Sequence, residues 1–306
     1  MYDATIVGGG PAGLSAALML GRARRRVLLC DTGQPRNAAS HAMHGFLSRD
    51  GSDPAELRRV GRAQLRPYDC IDVRDTAVVQ ASGAAGCFTL TLDGRERLDA
   101  RRLVLAFGVK DQLPDIEGLR TLWGRGVFPC PYCDGWEVRD QPLAALGNGP
   151  QGLQFALLLS KWSRDLVLCT NGPAELDGQS RALLASRGID VKEAPLQQIE
   201  GEDASLSRII FRDGSALARR ALFFRAPCRP SSELAQQLGC DMSDEGAIVV
   251  NAMCQTSVPG VYAAGDAAQP AGLPFPPASV IVAAAQGAIA GRAIDRELLM
   301  EDLAPA

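Results

Sequence analysis

The chain has 306 residues, 46% of them hydrophobic and 22% charged, with a net charge of -3. That length points to two domains with sizeable cores, and the slightly acidic balance lacks the basic footprint of a nucleic-acid binder. No apolar stretch approaches the ~20 residues that span a membrane, and a strand starting almost at Met1 leaves no room for a signal peptide, so a cytoplasmic protein is expected.

The first predicted unit is ATIVGGGPAGLSAALMLGRARRRVLLCD, Ala4 to Asp31. It reads as an apolar strand, a G-x-G-x-x-G turn, an apolar helix and a second strand. Gly8 permits the tight turn, Gly10 lets the backbone approach a pyrophosphate, and Gly13 lets helix and strand pack closely. Pro11 and Ala12 then open a helix whose N–H groups face the phosphates. Asp31 ends the second strand about 20 residues on, where a carboxylate can hold a ribose hydroxyl. The basic run of Arg22 and Arg24 to Arg26 suits a solvated helix C-terminus.

Next, RRLVLAFGV (101–109) reads as a strand ending at Gly108, and LPDIEGL (113–119) as a Pro/Gly-punctuated crossover. FPCPYCDGWE (128–137) then places Cys130 and Cys133 three apart. Such a pair can be a metal clamp, a staple or a redox device. The other cysteines are of a different kind. Cys30 and Cys169 end the apolar runs VLLC and LVLC, where a small buried hydrophobe is expected. Cys70, Cys87, Cys228, Cys240 and Cys254 have no partner at motif spacing and read as thiols in a reducing compartment.

A second unit, PLAALGNGPQGLQFALLLSKWSRDLVLC (142–169), repeats the plan with Gly147, Gly149 and Gly152. One glycine fingerprint is weak evidence; two, each between a strand and a helix, are much stronger. A helix ending near Arg187, strands around Val191 and at IIFRDG (209–214), and the turn DMSDEG (241–246) follow. TSVPGVYAAGD (256–266) is a strand running into Gly265 and Asp266. An Ala/Gly-rich helix starts near Ser279, and its Ala283, Gly287 and Gly291 suit close approach to another backbone or a cofactor.

GGGPAG, CPYCDG, the second fingerprint and TSVPGVYAAGD occur in a recognisable order. The chain resembles the low-molecular-weight thioredoxin reductases and the related FAD-dependent dithiol/disulfide oxidoreductases. The resemblance implies an α/β protein with two nucleotide-binding Rossmann-like domains, the second inserted into the first. An FAD domain of about 1–115 and 245–306 would flank a nicotinamide domain of about 116–244 carrying the cysteines. PDIEG and DMSDEG would form a hinge about which the inserted domain rotates, and a homodimer is expected.

Within that family the cysteine pair is a redox dithiol. Zinc needs four ligands, and neither a second CxxC nor a paired-histidine motif is available, so no metal is expected. His41 and His44 would simply line a loop near the flavin. Closing so short a disulfide loop removes little chain entropy, which disfavours a staple. By similarity, Cys133 is the flavin-side cysteine, Cys130 attacks the external disulfide, and Asp134 handles the proton, although a helix-start carboxylate reading also fits Asp134. Asp266 after Gly265 would hold the flavin ribityl or phosphate side, with Ala106 and Gly108 near the cofactor.

Three departures qualify the likeness. Ala278-Ser279 stands where the family usually has Arg-Gln against the flavin, which leaves Ser279 as the contact. PRNA replaces a Gly-Gly-Gln contact and leaves Asn37 as the polar partner. Thr170 and Asn171 stand where arginines clamp the NADPH 2′-phosphate, so the choice between NADPH and NADH is open. With Pro-Tyr inside the CxxC, these features look closer to the branch that includes dithiol oxidases of small natural products. The expected partner is a thioredoxin-like protein or a small dithiol or disulfide; a flavin-binding redox sensor is the further alternative.

Overall fold

The computed structural model describes residues 1–202 and 205–304, and the chain folds as two compact units. One comprises Met1–Ala38, Asp53–Asp111 and Cys228–Ala306; the other comprises Ala39–Ser52 and Gln112–Pro227.

In the first unit Tyr2–Val7 lies between Val27–Cys30 and Arg97–Leu105, parallel to both, and Ile71–Arg74 extends the sheet beyond Val27–Cys30. Val261–Ala263 also runs parallel to Arg97–Leu105. Cys87–Leu92 and Val78–Ala84 add an antiparallel meander. Two apolar clusters cover the two faces. One joins Ile6, Leu29 and Tyr262 to the helices Pro11–Arg22 and Val280–Asp302 through Ala16, Leu20, Ala290 and Ile294. The other centres on Phe88, Leu90 and Leu103, with Leu234 and Ala235 packed in. A sheet buried on both faces needs near-continuous apolar strands, which VLLC and the ATIV of the first strand supply.

The last helix touches a backbone, as its small residues allow. A Cβ at Gly287 would overlap the carbonyl of Ala12, and one at Gly291 would sit 3.0 Å from the carbonyl oxygen of Ala16. The two helices therefore approach closely where a larger residue would hold them apart.

The second unit has a five-stranded parallel sheet in the order Asp190–Lys192, Leu166–Cys169, Leu143–Leu146, Ala221–Phe224, Val127–Phe128. Helices Gly149–Leu159 and Gly178–Ser186 contribute Leu159 and Leu184 to the core on one face. An antiparallel sheet of Leu196–Glu202, Ser205–Phe211 and Ala216–Ala218 brings Ile199, Ile209 and Phe211 to the core on the other.

Two boundaries differ from the sequence reading. Residues 228–244 pack with the first unit: Cys228–Pro230 pairs antiparallel with Val109–Asp111, and Leu234 enters the Phe88 cluster. Residues 39–52, expected with the flanking pieces, pack with the second unit instead. The strand read to Gly108 ends at Leu105, because Gly108 adopts φ 67 and turns the chain toward the short pair at Val109.

Candidate redox and nucleotide sites

The first glycine turn is built by close contacts. Gly8 has φ 110, and a Cβ there would overlap the Ala106 carbonyl; a Cβ at Gly13 would overlap the carbonyl of Gly8. Gly10 is the N-cap of Pro11–Arg22, has open space above it, and no side chain caps the helix. The Asp31 carboxylate lies against Gly9, accepts from Gly33 N at 3.2 Å and pairs with Arg62 at 2.8 Å. An uncapped helix start, an open glycine and a carboxylate at the strand end fit the ADP half of FAD.

Around Gly265 and Asp266 the structure adds two residues that motif reading missed. The buried Gln286 side chain accepts from Gly265 N at 2.8 Å. Arg36 donates to Asp266 at 2.9 Å and to Asp111 at 2.7 Å. Burial alone would weaken the Arg36 charge; Asp111 and Asp266 more than restore it, so the guanidinium stays cationic. The expected Asn37 lies one residue on and accepts from Arg58 at 3.4 Å. Ser279 serves as the N-cap of the last helix, its hydroxyl accepting from Val282 N at 3.3 Å. The clue for Arg36 was its place inside PRNA, the segment that departs from the family pattern.

In the second unit the fingerprint turn is equally tight: a Cβ at Gly152 would come 2.6 Å from the carbonyl carbon of Gly147. The start of Gly149–Leu159 differs from its counterpart. Asn148 caps it, accepting from Gly149 N at 2.8 Å and Glu175 N at 2.9 Å while donating to Pro173 O at 2.9 Å. This ties the 171–177 loop across the turn, and a Cβ at Gly149 would lie 3.6 Å from the Glu175 carboxylate. Thr170 donates to Gly172 O at 2.7 Å, and Asn171 accepts from Leu196 N at 2.7 Å. Arg181 is paired with Glu193 at 2.8 Å. The turn fits a dinucleotide backbone, but its strand end offers spent polar groups rather than a cation.

The dithiol sits on a single helical turn. Cys130 is the N-cap of Pro131–Asp134, and its carbonyl accepts from Cys133 N and Asp134 N, both at 3.2 Å. Pro131 presets the first helical φ. Gly135 is required by packing: a Cβ there would stand 2.8 Å from the Trp162 ring, against which Tyr132 packs edge-on at 5.4 Å. Both cysteines are half-buried. The Asp134 carboxyl is pushed up to about 7, first by burial and then by Cys130 and Glu137, with His44 pulling the other way. Tyr132 and Trp136 are 71% and 65% exposed on this turn, and the Arg139 guanidinium lies 3.9 Å over the Trp136 ring.

The histidines take different places. His41 is exposed, while His44 faces two carboxylates, Asp50 at 3.5 Å and Glu137 at 3.6 Å, within the unit that carries the cysteines.

Comparison with known proteins places these features in a family. The family model for pyridine nucleotide-disulphide oxidoreductases matches residues 2–287. A Claviceps purpurea protein named thioredoxin reductase tcpT is 34% identical over 87% of this chain and 86% of its own length. The crystal structure of a putative thioredoxin reductase TrxB from Bacillus anthracis is 32% identical, covers 99% of this chain and 100% of its own, and superposes with a TM-score of 0.92. An oxidoreductase from Agrobacterium tumefaciens is 38% identical, covers 98% and 99% of the two chains, and gives a TM-score of 0.90. No helix among the described residues is long and apolar enough to cross a membrane. The chain belongs to the pyridine nucleotide-disulphide oxidoreductase family, as a thioredoxin reductase-like enzyme that uses FAD and NAD(P)H for disulfide chemistry.

Proposed function

We propose that the enzyme passes electrons from NAD(P)H through FAD to the Cys130–Cys133 pair and on to a thioredoxin-type protein disulfide. The unit formed by the two ends of the chain would hold FAD, and the inserted unit the nicotinamide. FAD, when bound, supplies two-electron chemistry between a nicotinamide hydride and a disulfide. The Cys130 thiolate attacks one sulfur of the external disulfide, breaking its S–S bond and forming a mixed disulfide. The leaving thiolate takes the Asp134 proton. The Cys133 thiolate then attacks Cys130, closing the internal disulfide and expelling the second thiolate, which takes a proton from solvent; two electrons have reached the substrate, and solvent reprotonates Asp134.

One observation carries this reading: a half-buried carboxyl beside Cys130 whose proton affinity is raised to about 7. An acid that titrates near neutral pH can both donate to a leaving thiolate and be recharged. The likeness to the Bacillus anthracis and Claviceps purpurea proteins supports a thioredoxin-type partner. A second reading, oxidation or reduction of a small dithiol, is favoured by Thr170 and Asn171, whose bonds to the chain weaken the case for a strong NADPH supply.

Cys130→Ser and Cys133→Ser should each retain FAD and abolish disulfide turnover. Wild-type turnover in both variants would overturn the redox assignment. For the wild type, NAD(P)H oxidation with a panel of thioredoxins should exceed that with small disulfides. Oxygen uptake with small dithiols, and none with thioredoxins, would replace the first reading by the second.

A further inference from the structure

We infer that Arg36 is a positioning residue of the flavin site. Its guanidinium holds the Asp266 carboxylate and ties it to the paired strands by which the chain leaves and re-enters the first unit. This role rests on the proposed placement of FAD in that unit, with Asp266 as one of its contacts.

All the residues concerned belong to one compact unit. Gly265 adopts φ 85 and lies against the start of the first helix, where a Cβ on it would be 3.2 Å from the Ala12 methyl. Its N–H donates to Gln286 at 2.8 Å, so the backbone at this corner is fixed. The Asp266 side chain is fixed separately: Arg36 Nη1 donates to its Oδ2 at 2.9 Å. Arg36 is anchored in turn. Its Nε and Nη2 donate to the two carboxylate oxygens of Asp111 at 3.1 and 2.7 Å, a planar fork that an ammonium group cannot reproduce. Asp111 is the last residue of the first unit before the chain crosses, and it pairs antiparallel with Cys228, the first residue on the return. The Cys228 sulfur stands 3.7 Å from the same Nη2.

Three charge-assisted bonds thus converge on one guanidinium and join segments that are far apart in the chain. The Asp111 side chain is only 8% exposed, so water cannot replace the cation there at little cost. The consequence for binding is preorganisation. A carboxylate left to rotate must be ordered when a ligand arrives, and that ordering is subtracted from affinity. Arg36 orders Asp266 beforehand, beside a helix start that fits a diphosphate. It does so from PRNA, the segment that replaces the Gly-Gly-Gln of the family pattern. A side chain has taken up a task at the point where the chain departs from its relatives.

The test is the FAD affinity of the full chain, stripped of flavin and titrated with FAD while flavin fluorescence is read. Arg36→Gln, Asp266→Asn and the double variant form a cycle with the wild type. Arg36→Gln should weaken FAD binding about tenfold or more, the worth of one charge-assisted bond. Because Arg36 acts through Asp266, the double variant should bind FAD no more weakly than Asp266→Asn alone. General loosening of the loop would instead multiply the two losses. Multiplied losses, or wild-type affinity in either single variant, overturn the inference. If Arg36→Gln does not fold, Asp111→Asn carries the test, since it keeps the guanidinium and weakens only its anchor. It should weaken FAD binding about threefold or more, again with no further loss on top of Asp266→Asn; unchanged affinity overturns the inference. A wild-type chain that takes up no FAD would overturn the placement of the flavin itself. Failure of the cycle alone leaves that placement and the cysteine chemistry standing.

Discussion

Asp134 is the residue at which a local environment most changes chemistry. A carboxyl ordinarily titrates near 3.8, and here burial, Cys130 and Glu137 push it up to about 7. Between those values the folded chain keeps a proton that the unfolded chain has lost. Stability from this group therefore falls as pH rises from about 4 to about 7, and levels off above. Asp134→Asn removes that loss. Its melting temperature relative to the wild-type holoenzyme should be nearly unchanged at pH 4 and should rise to a plateau above pH 7. A difference in Tm independent of pH would show that the carboxyl is not strained by its surroundings. That Cys130, Cys133 and Asp134 share one helical turn was legible because the motif is contiguous. The contacts of Arg36 and Gln286 were not, because each meets a residue well separated along the chain: Arg36 meets Asp266 across 230 positions and Gln286 meets Gly265 across 21.

At the scale of elements, the first βαβ unit and the last helix form one construction. Strands were readable from apolar runs and helices from their glycine punctuation, so both fingerprint units lie where the sequence places them. The strands Val78–Ala84 and Cys87–Leu92 and the 39–52 turn escaped notice because their patterns are weak and their pairing depends on other segments. Small residues on the last helix were noticed, but whether they faced a cofactor or a backbone could not be decided from spacing; the backbone of Ala12 is the answer at Gly287. Gly287→Ala should push the last helix off the helix that follows the first glycine turn. Overpacking of this kind costs roughly 1–3 kcal/mol, and displacement of Ala12 should also weaken FAD retention. Thermal unfolding and the flavin-to-protein absorbance ratio would both report it; unchanged values in both would mean that the helices can separate without consequence.

At the scale of the whole molecule, one structural plan occurs twice with different finishing. In the first unit the helix start is uncapped, the space above Gly10 is open and Asp31 closes the strand end. In the second, Asn148 caps the helix, Glu175 stands over the turn, and Thr170 and Asn171 hold their own backbone. Charge-assisted hydrogen bonds contribute about 1.5–3 kcal/mol each, so absence of an arginine clamp removes roughly tenfold to a hundredfold of NADPH preference per contact. Arg181, a more distant cation, is already paired with Glu193 at the surface. An exposed pair of this kind is worth about 0–1 kcal/mol, so Arg181 could be released cheaply but would gain little in net terms. FAD should therefore remain bound through purification while either nicotinamide is used weakly, with a preference in kcat/KM below about tenfold. Steady-state rates with NADPH and NADH, together with calorimetric binding of each, measure this directly. A preference for NADPH above about a hundredfold would mean that Arg181 leaves Glu193 to grip the 2′-phosphate, and Glu193→Gln would then raise that preference further.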